Sequence, residues 1–166
     1  MKHNYIKQAK EIKGKTTAFT EIIINATPEE VREKFLDFKK WGEWNTVIPN
    51  ISVKKGDINN LDTNPTLALV LNFGRKNDPA LAPVNPKVNK NSPEIFNWGF
   101  NWGILKAEHI HIFETQNDGK ATRYVHYERM SGLLSRMIMR PAMKANMVDK
   151  YNAMNLGFKK YCEVSE

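Results

Sequence analysis

The stretch GILKAEHIHIFETQNDGKATRYVHYERMSG, residues 103–132, decides the fold. Two alternating runs flank Asn117-Asp118-Gly119, residues that accept the positive backbone dihedrals of a tight reversal, so the runs are expected to pair as an antiparallel hairpin. Read with period two, Leu105, Ala107, His109, His111 and Phe113 share one face, and Lys106, Glu108 and Glu114 fall with Ile110 and Ile112 on the other. On the second run Thr122, Tyr124, His126, Glu128 and Met130 line one face. Three of the four histidines and a carboxylate therefore sit among apolar side chains. Buried polar groups need partners, and a ligand or trapped water can supply them, so this face suits a pocket better than a sealed core.

Working outward, residues 16–25 (TTAFTEIIIN) are β-branched and apolar and read as the first strand. Thr27, Pro28 and Glu30 form a capping-box start for a short helix carrying Val31, Phe35 and Phe38 on one stripe. A second short helix or turn follows at 39–45, then strands near 48–55 and 67–76. Pro79, Pro83 and Pro86 mark 77–86 as an irregular loop before a strand at 87–91. The next strand, 95–102, sets Phe96, Trp98, Phe100 and Trp102 on one face, with Gly99 a candidate bend. After the hairpin, residues 133–161 read as a long helix that Pro141 kinks or divides, with Met147, Tyr151, Met154, Phe158 and Tyr161 as its apolar stripe. The plan is α+β, an antiparallel sheet with the terminal helix lying across it.

With 166 residues, 41% of them hydrophobic and 26% charged, the chain fits one domain over 16–163 behind a mobile segment, 1–15. No apolar run reaches the roughly 20 residues of a membrane span, and the basic start lacks the h-region of a signal peptide, so a cytoplasmic location is the expectation. The single cysteine, Cys162, excludes an intrachain disulfide. The formal net charge of +7 admits anionic partners, yet the lysines are scattered and no recognition-helix motif is present, which argues against nucleic-acid binding.

In order along the chain, Asn25-Ala26-Thr27-Pro28-Glu29-Glu30-Val31, Trp41-Gly42-Glu43-Trp44-Asn45, Pro86-Lys87-Val88, Trp98-Gly99, Gly103-Ile104-Leu105, Glu108-His109, Thr122-Arg123, His126, Glu128 and Gly132, then Asn155, Phe158-Lys159 and Glu163, resemble the START-like, helix-grip superfamily of polyketide cyclases/dehydrases and lipid-transport proteins (SRPBCC). The resemblance covers nearly everything after residue 16. It implies a curved seven-stranded antiparallel sheet gripping the C-terminal helix, two short helices after the first strand, and an internal cavity for apolar small molecules towards which His109 and Glu128 point. It implies no single reaction, since relatives include lipid carriers, quinone-binding proteins, aromatase/cyclases, hormone receptors and proteins that act on ribosomes or chaperones.

The candidate ligand-binding residues are Trp41, Trp44, Asn45, Trp98, His109, His111, His126, Glu128, Met130, Met147 and Tyr151, with Trp102 a further possible wall. Each has a plainer alternative: core packing for the tryptophans and methionines, an Asx turn for Asn45, a structural role for Cys162, surface positions for Arg75 and Arg129. His109 and Glu128 are the candidate acid/base pair if the chain is an enzyme, which would then be a cofactor-free cyclase or dehydratase. Zinc chemistry is conceivable for imidazoles and a carboxylate, but spacing by two on a strand is weak support; no metal and no cofactor are expected. The expected partner is a hydrophobic or amphipathic small molecule, lipid, quinone or polyketide-like, with membrane contact only transient. A basic interaction module for ribosomal RNA or a protein is the remaining alternative. The oligomeric state is not legible.

Overall fold

The computed structural model describes residues 17–60, 63–72, 74 and 81–164; the segment expected to be mobile and Arg75 lie outside them. Strand β1 (Thr17–Ile24) leads into helix α1 (Pro28–Leu36), started by the expected capping box: Glu30 N–H donates to Thr27 Oγ1 while the Thr27 amide donates to the Glu30 carboxylate at 2.8 Å. A 3-10 turn (Phe38–Lys40) and the one-turn helix α2 (Trp41–Trp44) follow. Then come β2 (Asn50–Lys55), β3 (Thr66–Asn72), β4 (Leu81–Val84), β5 (Lys87–Ser92), β6 (Ile95–Asn101), β7 (Lys106–Gln116) and β8 (Ala121–Ser131). The chain closes with α3 (Ser135–Ile138) and α4 (Pro141–Glu163).

The strands form one antiparallel sheet in the order β1-β8-β7-β6-β5-β3-β2, curved into a half-barrel around α4. This is the α+β helix-grip plan. The eighth strand, β4, lies off that path and pairs with β3. It corrects the expectation of an irregular loop over all of 77–86: Pro83 sits opposite Val70 in β4, and an edge position spares proline the ladder bond it cannot donate. Pro141 divides the terminal helix as expected, occupying the first turn of α4, where its missing N–H is harmless. The hairpin turn also forms as read, with positive φ at Asn117 (50°), Asp118 (53°) and Gly119 (91°).

Two close approaches fix the shape. A Cβ at Gly99 would stand 2.3 Å from the Ala107 carbonyl, and one at Gly157 would stand 2.3 Å from the Trp44 carbonyl, so only glycine lets α4 seat against α2. The main core lies between the sheet and α4 and includes Phe35, Trp41, Phe96, Trp98, Tyr124 and Phe158. The outer face carries a second buried cluster, Ile95, Ile110, Ile112, Val125 and Tyr127. That face is therefore not simply the polar side of an amphipathic sheet, although Arg123 bridges Glu21 and Glu114 across it.

Candidate functional site

Register sets the inner face. One row across the sheet reads Ala18, Glu128, His109, Trp98 and Val88; the next reads Thr20, His126, His111 and Phe96; a third brings Tyr124 beside Phe113. Two neighbouring strands, β7 and β8, thus deliver the imidazoles and the carboxylate to adjacent squares of one lattice. All are buried: His111 is fully shielded, and His109, His126 and Glu128 are at most 4% exposed.

Within this lattice His109 Nε2 stands 3.2 Å from Glu128 Oε1. Tyr151, reaching down from α4, donates its hydroxyl to the other carboxylate oxygen of Glu128. The His109 ring lies flat against the Trp98 indole, with centroids 3.9 Å apart and planes 11° from parallel. The result is a chain Tyr151–Glu128–His109 backed by an aromatic wall. A second group adjoins it. His111 Nδ1 is 2.7 Å from the Tyr124 hydroxyl, His126 stacks on His111 at 4.4 Å, and Tyr151 packs on His126 at 4.3 Å. Asn155, one turn beyond Tyr151 on α4, donates to Thr20 Oγ1 at 3.0 Å, and Thr20 donates in turn to the His126 carbonyl.

Burial pushes the His111 and His126 pKa values well below the ordinary imidazole range, and neighbouring histidines push the same way; for His126 a contact with the Asn155 side chain opposes the shift. Both rings are therefore neutral near pH 7. Burial likewise raises the Tyr124 and Tyr151 hydroxyls well above 10, with the Glu128 carboxylate adding to the effect at Tyr151, so both stay protonated. Among the described residues several of these buried polar atoms have no hydrogen-bond partner: Trp98 Nε1, His109 Nδ1, His111 Nε2, both ring nitrogens of His126, and Asn155 Oδ1. Such groups cost free energy unless something pairs with them. No three histidine, cysteine or acidic side chains among the described residues are arranged to hold a metal ion.

The remaining candidates divide. Met130 is buried opposite Ala107 on the inner face, and Met147 is partly buried at the edge of the core. Trp41 and Trp44 pack on each other, on Phe35 and on Phe158 at the α2 end, with Trp41 Nε1 donating to the Phe35 carbonyl and Phe35 standing between Trp41 and His111, 4.7 Å from the latter ring. Asn45 makes an Asx turn, its Oδ1 accepting from the amides of Val47 and Ile48 at 3.0 and 2.8 Å. Trp102 is 62% exposed and is no part of the inner wall. Arg129 pairs with Glu108 on the outer face. Burial lifts the Cys162 thiol to about 12, so it packs rather than reacts. Sequence reasoning passed over Tyr124, Thr20 and Asn155 as site residues. Asn155 was findable, being a polar residue at i+4 from Tyr151 inside an apolar stripe. Two surface depressions, of about 1040 Å³ beside α1 and about 620 Å³ near Trp102, lie outside this lattice.

Comparison with known proteins agrees with this architecture. The family model for polyketide cyclase/dehydrase and lipid transport matches residues 15–163. A START superfamily protein from Mycobacterium smegmatis superimposes with a TM-score of 0.68 at 12% identity, over 89% of this chain and 97% of that one. A hypothetical protein from Helicobacter pylori gives 0.65 at 18% identity, over 89% and 88%. An aromatase/cyclase from a Streptomyces species gives 0.64 at 9% identity, over 89% and 93%. At these identities the likeness shows the shared fold. No curated protein matches. Family and neighbours fit hydrophobic-ligand binding or polyketide cyclisation, and by the match over nearly its whole length the chain belongs to the polyketide cyclase/dehydrase and lipid-transport family.

Proposed function

We propose that residues 16–163 form a domain that binds a hydrophobic or amphipathic small molecule of the lipid, quinone or polyketide-like kind between the curved sheet and α4. The observation that carries this reading is the set of unpartnered buried nitrogens and oxygens on Trp98, His109, His111, His126 and Asn155, which a ligand carbonyl or hydroxyl would satisfy. Affinity comes chiefly from apolar burial, at roughly 25 cal/mol per Å². Trp98, His109, Glu128 and Tyr151 orient the polar end; Met130 and Met147 adapt to the tail. The test is calorimetric titration with long-chain lipids, quinones and polycyclic aromatic ketones. Saturable binding that weakens at least tenfold in His109→Ala supports the assignment, and unchanged affinity in that variant removes His109 from the site.

The contact between His109 and Glu128 favours a second reading, a cofactor-free cyclase or dehydratase. Glu128, held by Tyr151, would stabilise the imidazolium formed when His109 takes a proton from a carbon between two carbonyls; return of that proton to a departing hydroxyl would release water. Glu128→Gln then abolishes turnover of a poly-β-ketone while leaving its affinity nearly intact. Full activity in that variant would exclude the acid/base role.

A further inference from the structure

Of the ten large hydrophobic side chains exposed among the described residues, four fall on two segments, Trp102 and Ile104 on the β6–β7 loop and Leu133 and Met137 on the connection after β8. The backbone holds their segments together. The Leu134 amide donates to the Ile104 carbonyl at 3.2 Å, the Met137 amide donates to the Leu134 carbonyl at 3.1 Å, and Lys106 is the register partner of Ser131. The β6–β7 loop and the connection from β8 through α3 thus form a single rim, on which stacking against Phe100 at 4.1 Å fixes the Trp102 ring. Leu133 is 84% exposed, and apolar side chains gathered in this way mark an interaction surface.

Charge identifies the partner. From Ser131 to Val148 the chain carries Arg136, Arg140 and Lys144 and no acidic residue. Exposed Lys106 stands on the adjoining strand, and the nearest carboxylate along it, Glu108, is held by Arg129. Two copies meeting through this rim would bring like charges together, whereas an anionic bilayer offers phosphates to the cations and an acyl boundary to the apolar side chains. We propose that this rim docks the protein reversibly on an anionic lipid surface, Trp102, Ile104, Leu133 and Met137 entering the interface while Lys106, Arg136 and Arg140 meet the headgroups. The inference does not rest on what the interior binds. No helix among the described residues is long and apolar enough to cross the membrane, so attachment is peripheral.

Tryptophan fluorescence reads the contact, because Trp41, Trp44 and Trp98 are buried and Trp102 is the exposed member of the set. The intact protein is mixed at low salt with vesicles of phosphatidylcholine and phosphatidylglycerol, and separately with pure phosphatidylcholine vesicles. The expected result is co-sedimentation with the anionic vesicles and a blue shift that Trp102→Phe removes, both weakening as salt is raised. The double variant Arg136→Gln/Arg140→Gln should bind about thirty-fold more weakly. Ile104→Ser/Leu133→Ser should bind not at all while keeping its circular dichroism. Absence of sedimentation at low salt overturns the proposal. So does equal binding to neutral vesicles that ignores the arginine changes. A concentration-dependent dimer that Ile104→Ser dissociates would show that a second copy covers the rim, and would equally overturn it.

Discussion

Two fully buried, neutral histidines make this protein acid-sensitive in a calculable way. His111 and His126 have folded-state pKa values well below 6.5, whereas in the unfolded chain both titrate near 6.5. Protons therefore bind preferentially to the unfolded state once pH falls below about 6.5, and the stability these rings contribute, complete above that value, is lost as pH falls towards their folded pKa values. Between pH 7.5 and 5.0 the loss is about 2 kcal/mol per ring and about 4 kcal/mol for the pair, a large part of an ordinary folding free energy. Urea denaturation at intervals across that range measures it. His126→Phe keeps a ring of similar size without the titrating group, so its stability should fall over the same range by about 2 kcal/mol less than wild type. A wild-type stability that stays flat from pH 7.5 to 5.0, or an identical fall in the variant, would refute the reasoning, because imidazoles this deeply buried cannot charge cheaply. At the alkaline end the sign reverses: Tyr124 and Tyr151 have raised folded pKa values, so their contribution is complete below about pH 10 and declines above it.

Tyr151→Phe removes the hydroxyl that donates to buried Glu128, and should cost about 2 kcal/mol, lowering Tm by roughly 4–8 °C in differential scanning calorimetry; an unchanged Tm would mean the contact carries nothing. Gly157→Ala improves helix propensity by about 1 kcal/mol yet drives a methyl into the Trp44 carbonyl, so chemical denaturation should show a net loss of about 1–3 kcal/mol, and a net gain would place α4 further from α2 than described. Cys162, 7% exposed and with its thiol at about 12, should resist a disulfide exchange reagent in the native protein at pH 8 and react fully in denaturant; rapid native labelling would contradict its burial.

The hairpin explains why so much of the fold was legible. Period-two alternation in β7 and β8, closed by Asn117-Asp118-Gly119, fixes the register, and register alone puts His109 beside Glu128 and His111 beside His126. Helix periodicity likewise placed Tyr151 on the buried stripe of α4. What could not be read depends on contacts between elements distant in the chain. Nothing local to Tyr151 says that its hydroxyl reaches Glu128, 23 residues away, or that Asn155 reaches Thr20, 135 residues away. Trp102 looked like part of an aromatic wall because the alternation from Phe96 continues through it, but the strand ends at Asn101 and the ring turns outward with the loop. The outer cluster is legible only in part, as Ile110 and Ile112 on the second face of the first run; their packing with Ile95, Val125 and Tyr127 needs the neighbouring strands in register. Pro83 reads locally as a strand breaker, although an edge strand tolerates it.

The most direct measurement of the central claim is native mass spectrometry of the purified protein, alone and after incubation with lipids, quinones and polycyclic ketones. The account expects a one-to-one complex, retained from the cell or formed on incubation, that is released by organic solvent and weakened in His109→Ala. An apo mass throughout, with no saturable uptake of any of these compounds, would contradict a ligand site between the sheet and α4.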